Sequence, residues 1–390
     1  MPSPSTASNG ALFRLIAITL NLRVSIVCVG PILLDVSADL DLSSAMAGLL
    51  LGLPLLAFAV FSPVAPALAA RWGLDSTIRL ALVVLAVAIV VRSLPVGSFI
   101  WIGTIVLGLA IATLNVLIPA QVSRDFPTRM SPMTGVYTAT QGSAAAVGAV
   151  LAVPLAATLP GGWRSALAVW AVFAVFAAAV PPRRQGLAVD TPHVVGSTPR
   201  GRSPWRTALG WQVTLFMGLQ SMAFYVYMAW VPTFERAHGV PEAVAGVHLG
   251  IFYVVSVCSS ITTGRLLHRL ADQKLAALVV SGLILCTFLG LVVAPGLSAI
   301  WSVIGGAACG SMMVVALSLF GYRTSSHEEA ARLSGMAQSV GYAIAGVGPV
   351  VFGAIFDWSA SWTLPLLLTA AAMVAMAVIG VLAGRDRVLG

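Results

Sequence analysis

The chain has 390 residues, a formal net charge of +8, 59% apolar residues and only 9% charged ones. Soluble domains carry about 25% charged residues, so this composition cannot furnish a water-facing surface and excludes a soluble globule. Apolar runs fill the whole length, which also excludes a soluble enzyme held by one anchor.

A bilayer-crossing helix needs roughly 20 apolar residues. Breaks at charged and Pro/Gly-rich stretches mark off twelve such runs, at about 12–34, 44–70, 77–94, 99–122, 131–158, 165–180, 207–231, 243–264, 274–293, 298–321, 331–356 and 361–383. The first run lacks the small-residue cleavage site of a signal peptide and is expected to remain as helix one. Of the 21 Lys and Arg, Arg23 lies inside the first run; of the other 20, 17 fall on the N-terminal side of the alternating spans and only Arg92, Arg164 and Arg236 on the other. Basic loops stay cytoplasmic, so an integral inner-membrane protein with both termini in the cytoplasm is expected, and the positive charge is a topology signal that leaves no role for nucleic acid. The four cysteines all lie in apolar runs without metal-ligand spacing and read as packing residues.

The chain repeats itself. Ala47-Gly48-Leu49-Leu50-Leu51-Gly52 opens helix two, and Ala245-Gly246-Val247-His248-Leu249-Gly250 opens helix eight at an offset of 198. The same offset carries Arg71 onto Arg269 and Gly108 onto Gly306, and an offset of 200 carries Gly135 onto Gly335. Six helices per half make this a parallel repeat about an axis along the membrane normal. The expected organisation is a six-helix half over 1–180, a basic flexible cytoplasmic linker over 181–206, and a second half over 207–390. The Gly-x-x-x-Gly steps let helices approach closely and suit either rocking surfaces or static packing.

No Walker loop, His-Glu-x-x-His or Gly-x-Ser-x-Gly occurs, so no enzyme, cofactor or metal is expected, and a transporter would run on an existing gradient or on exchange. The sharpest chemical signal is Arg23. It lies about eleven residues into helix one, roughly 16 Å along the axis, near the middle of a core roughly 30 Å thick. A charge there needs a hydrated, protein-lined cavity and an acceptor. All 13 Asp and Glu read as loop or helix-end residues, so no acid is expected to pair with it, and proton coupling through a buried carboxylate is not expected. Asn21 on helix one, Asn115 on helix four, Tyr137 and Gln141 on helix five, Gln220 and Tyr227 on helix seven, and Gln338 and Tyr342 on helix eleven are the polar candidates for completing a substrate site, with interhelical bonding as the alternative for each. His248, near the outer end of helix eight, is a candidate proton carrier, and Asp35 a peripheral acid for coupling.

Several stretches resemble one family. They are Leu20-Asn21-Leu22-Arg23 with Val29-Gly30-Pro31; Asn115-Val116-Leu117-Ile118-Pro119 with Arg124-Asp125-Phe126-Pro127; Gly135-Val136-Tyr137; Gly162-Trp163-Arg164; Gly218-Leu219-Gln220-Ser221 through Trp230-Val231-Pro232; and Ser334-Gly335-Met336-Ala337-Gln338-Ser339 with Gly348-Pro349. Together they resemble the cyanate/2-nitroimidazole transporters of the major facilitator superfamily. The resemblance implies an all-α membrane protein with twelve helices in two halves around a central cavity, working by alternating access. Two departures stand out. Pro66-Ala67-Leu68-Ala69-Ala70-Arg71-Trp72-Gly73 has Ala70, with His268 at its repeat, where the superfamily's loop carries an acid, which leaves Arg71 and Arg269 as the gating candidates. Val24 follows Arg23 where the family often has Pro, which argues against a helix break there.

The expected function is secondary transport of a small anionic or polar planar solute across the bilayer by a monomer. The alternatives are an exporter of neutral aromatic drug-like compounds and a transport-dead membrane sensor of the same fold.

Overall fold

The computed structural model describes residues 4–61, 64–126, 129–181, 203–267, 270, 272–325 and 327–389. The described residues are helical with connecting turns, and eleven helices are long and apolar enough to cross a membrane, with one shorter apolar helix. We number them α1 (Gly10–Val27), α2 (Ser44–Phe61), α3 (Leu74–Arg92), α4 (Gly97–Asp125), α5 (Met130–Thr158), α6 (Trp163–Ala179), α7 (Ala208–Ala237), α8 (Glu242–Leu267), α9 (Lys274–Val293), α10 (Ser298–Tyr322), α11 (His327–Ser359) and α12 (Thr363–Ala383). The short helix is α6, interrupted by a turn at Val169–Trp170.

Two runs expected as single helices are divided. The first ends at Val27, turns through Gly30 and Pro31, and resumes as a separate helix, Leu33–Asp39. The second stops at Phe61, and a further helix, Ala65–Trp72, begins with Pro66 in its first turn, where a missing N–H costs nothing. Arg23 and Val24 lie within unbroken helix. The turn at Leu20 keeps helical angles (φ −55°, ψ −32°), so α1 carries Arg23 to within about one turn of its end. At α7 the Thr207 hydroxyl accepts from the Gly210 N–H at 3.1 Å and caps the helix start.

The packing repeats six helices on. In the first half α1 packs on α5, α2 on α4 and α3 on α4 and α6; in the second, α7 packs on α11, α8 on α10 and α9 on α10 and α12. The repeat reaches single contacts. A Cβ on Gly108 of α4 would meet Pro54 Cα of α2 at 2.9 Å, and one on Gly306 of α10 would meet Phe252 Cα of α8 at 3.0 Å, each partner again 198 residues apart. The Arg124–Asp75 ion pair of the first half (2.8 Å), to which Arg14 adds a 2.6 Å contact, has Arg323 and Gln273 as its counterpart. With an amide replacing the carboxylate, Arg323 also donates to the Ala383 and Gly384 carbonyls at 2.7 and 3.0 Å.

The halves meet through α2 against α11 and α5 against α8. The two Gly-x-x-x-Gly steps lie in these interfaces. A methyl on Gly48 or Gly52 would overlap the Pro349 or Gly346 carbonyl of α11, and Gly246 and Gly250 leave room for Ala149 and Val150 of α5. These contacts lie toward the end away from the chain termini, here called the far end. Asp357 of α11 adds to them by accepting the Ser44 and Ala45 N–H groups that start α2, at 3.1 and 2.9 Å. Toward the terminal end, Gly135 of α5 and Gly335 of α11 are exposed, and a methyl on either would meet nothing within 4 Å. Among the described residues the halves touch toward the far end, while Gly135 and Gly335 stand open at the other.

Replacing Gly52 by Leu should therefore hold the far end apart. Labelling of a cysteine placed at Met46, read on folded protein, should become several-fold faster than in the Gly52 parent.

Candidate functional site

Arg23 reaches from α1 toward the second half, and its position explains its surroundings. Nη1 donates to the Tyr225 hydroxyl of α7 at 3.1 Å, and the guanidinium carbon lies 5.5 Å from the centre of the Phe224 ring. Tyr253 of α8 and Tyr342 of α11 are close enough to interact electrostatically with it, and Tyr137 of α5 with Tyr342 in turn. Among the described residues no carboxylate pairs with Arg23. The partial compensation comes from a phenol oxygen and the negative face of an aromatic ring, which favours a cation above it.

The box around this charge is aromatic. Phe224 meets Tyr225 and Tyr253 edge-on, with ring centres 5.0 and 5.9 Å apart, and Phe58 of α2 meets Tyr342 at 5.9 Å. The Tyr253 hydroxyl is buried and has no hydrogen-bond partner among the described residues, which leaves its donor and acceptor capacity unused there. Arg23 and Tyr342 are half-buried, as is Tyr137, so this cluster keeps access to the gap between the halves.

Of the polar residues singled out in the sequence, the structure brings Arg23, Tyr137 and Tyr342 together. Gln141 is half-buried on α5 and Asn115 exposed on α4, neither amide having a protein partner among the described residues. Gln338 is half-buried and donates to Ser334 one turn back, at 2.8 Å. Three others turn into their own halves. The Asn21 amide is buried and donates to the Ala17 and Phe173 carbonyls at 2.8 and 3.3 Å, bonding α1 to α6. Gln220 is buried, donates to the Ser221 hydroxyl at 2.8 Å and touches Met313 of α10. Tyr227 is 1% exposed, donates to Ser302 at 2.9 Å and stacks on Phe252 with ring centres 4.3 Å apart. Gln220 and Tyr227 do share a helix face, as their seven-residue spacing requires, but that face meets α10. Tyr225, two positions from Tyr227, points the opposite way and is the residue that sequence reasoning missed.

The gating candidates lie elsewhere. Arg71 is exposed at the end of the Ala65–Trp72 helix, and Arg269, with His268, lies outside the described residues. Asp35 joins the halves at the far end, its carboxylate 3.7 Å from Arg236 of the second half, which also contacts Glu242 at 2.8 Å. His248 Nδ1 lies 2.9 Å from Glu235 Oε1. Glu235 corrects the expectation that no acid is buried. It stands near the end of α7 in sequence, yet α8 and α10 cover it and leave it 1% exposed.

This architecture has known relatives. The Major Facilitator Superfamily family model matches residues 15–349. The 2-nitroimidazole transporter of Escherichia coli (strain K12) is 38% identical over 379 residues, covering 96% of this chain and 95% of that one. The cyanate transport protein CynX of the same organism is 24% identical, covering 94% of this chain and 95% of its own. Among solved structures, a bacterial homolog of the human lysosomal transporter Spinster, inward-facing and unoccupied, superposes with a TM-score of 0.78 at 16% identity, covering 99% of this chain and 98% of that one. The chain belongs to the major facilitator superfamily, and it is a multi-pass membrane transporter rather than an enzyme.

The two tyrosines of α7 separate site from scaffold. Tyr227→Phe should lower stability by about 1 kcal/mol, the usual net worth of one hydrogen bond, without changing ligand response in a thermal-shift titration. Tyr225→Phe should change that response, raising affinity several-fold because Arg23 loses its internal acceptor.

Proposed function

We propose that the protein is a secondary-active transporter of a small planar solute that is anionic or carries a strongly polar acceptor group. The observation that carries this reading is Arg23: a guanidinium between the two halves, paired with no carboxylate among the described residues and held by one phenol of the opposite half. A solute with acceptor oxygens would displace Tyr225 and take a planar, two-pronged donor. Its ring or π system would lie among Phe224, Tyr253 and Tyr342, with Tyr137, Gln141, Asn115 and Gln338 completing the polar wall. A nitroimidazole meets both demands, since its nitro oxygens accept and its ring stacks, and a relative is named for that solute.

The halves 1–180 and 207–390 would rock about the α2–α11 and α5–α8 interfaces, joined by the linker 181–206. The basic excess on one side puts both termini in the cytoplasm of an inner-membrane protein, so the far end faces outward and the structure opens inward. Each monomer carries a complete site. Arg71 and Arg269 would act at the cytoplasmic gate and Asp35 at the outer one. Export of neutral aromatic compounds is the second reading, and the aromatic box supports it.

Purified protein in proteoliposomes, supplied with 2-nitroimidazole, cyanate or a neutral aromatic solute, decides between them. Charge-assisted hydrogen bonds are worth about 1.5–3 kcal/mol, so Arg23→Ala should weaken apparent affinity roughly 10- to 150-fold for a solute bound through it. Arg23→Lys should be intermediate, since a point charge replaces the fork. Near-normal flux in the alanine variant contradicts the first reading, and flux confined to neutral aromatic solutes supports the second.

A further inference from the structure

Three arginines, Arg92, Arg164 and Arg236, break the basic bias of the terminal side, and the structure treats them differently. Arg164 contacts Asp39 at 2.7 Å and Arg236 contacts Glu242 at 2.8 Å, both arginines being half-buried. Arg92, the last residue of α3, is 2% exposed and pairs with no carboxylate among the described residues. The α4 backbone closes over the root of its side chain, since a methyl on Gly103 would meet the Arg92 nitrogen at 2.6 Å.

The guanidinium is left short of partners. Its Nη2 makes one long contact, 4.0 Å, to the Cys28 thiol, which is a weak acceptor, and its Nε is buried with none among the described residues. Arginine cannot shed its proton in a protein, so the charge persists. The carbonyl end of α3 supplies the equivalent of roughly half a negative charge, which leaves much of the cation uncompensated. Burying a charge in that condition is strongly unfavourable.

There is room for a countercharge. Arg92 lines a small cavity where α1 and the turn after it, α2 and α4 meet, with Ile26, Val29, Leu50, Pro54 and Thr104 among its walls. Arg92 and Thr104 are the polar residues of that lining, and Thr104 is itself buried. About 10 Å³ is open to the centre of a water-sized sphere, which is space for one such particle. Water would fit but would leave the charge standing. A halide is only slightly larger than water and carries the missing charge, whereas planar and tetrahedral oxyanions are too large.

We infer that this cavity binds a single monatomic anion of halide size, with Arg92 as its countercharge and the Thr104 hydroxyl as a second donor. Arg23 is not among its walls, so the site is separate from the one between the halves. The anion accepts from the unused Nε–H and ties the far end of α3 to α1, α2 and α4 within the first half.

Thermal unfolding of purified protein tests this, with chloride or bromide replacing gluconate at fixed pH and ionic strength so that general screening is constant. A halide at tenfold its Kd should raise Tm by about 2–4 °C, and the rise should saturate. Arg92→Met, which removes the charge and keeps an apolar stem, should abolish the rise, and Arg23→Ala should retain it. Crystals of the parent protein grown in bromide should show an anomalous peak beside the Arg92 guanidinium, a readout that does not depend on any variant folding. No halide-specific rise, a rise that survives Arg92→Met or disappears in Arg23→Ala, or no bromide beside Arg92 would overturn the proposal. The solute carried by the Arg23 site does not enter the result.

Discussion

A half-buried guanidinium inside a helical bundle, with no carboxylate paired to it among the described residues, sets the terms for the rest of this protein. Removing a charge from water costs several kcal/mol even after local relaxation, and Arg23 recovers part of that from Tyr225 and the Phe224 ring. Both belong to α7, whereas Arg23 belongs to α1, so the compensation spans the two halves. Anything that satisfies Arg23 better than a phenol oxygen also removes a bond between the halves. On the proposed function, binding and rearrangement would in this way be the same physical event.

The far end shows how such halves close without a large interface of interlocking side chains. Glycines at 48, 52, 246 and 250 bring backbones into contact, and shape complementarity of this kind is lost by small displacements. Asp357 caps α2 across the gap and Arg236 meets Asp35, two polar contacts that water can replace when the halves separate. At the terminal end, Ala70 is exposed where an acidic latch residue would stand, and Asp75 instead gathers Arg14 and Arg124 within one half, tying α1, α3 and α4 together. Charge there stiffens the half, and the glycine and polar contacts between halves named above lie toward the far end.

Hydropathy made the spans legible, because a bilayer demands length and apolarity and little else. The 198-residue offset was legible too, and it recurs in the contacts of Gly108 and Gly306. Arg23 could be picked out because a lone charge in an apolar run has few explanations. Its neighbours could not. Tyr225 and Tyr227 are equivalent as letters, and which one faces the gap depends on how α7 is rotated against α10 and α11, a matter of tertiary packing. Asn21 shares a helix with Arg23 but sits on the face that α6 covers. Glu235 read as a helix-end residue because sequence position reports distance along a helix, while burial depends on what α8 and α10 place beside it.

The most direct measurement is a structure of the protein with 2-nitroimidazole bound, determined in nanodiscs. Nitro oxygens are expected within hydrogen-bonding distance of the Arg23 guanidinium, with the ring among Phe224, Tyr253 and Tyr342 and the Tyr225 hydroxyl displaced. A solute seated elsewhere, with the Arg23–Tyr225 bond intact, would contradict a cargo site built on that charge.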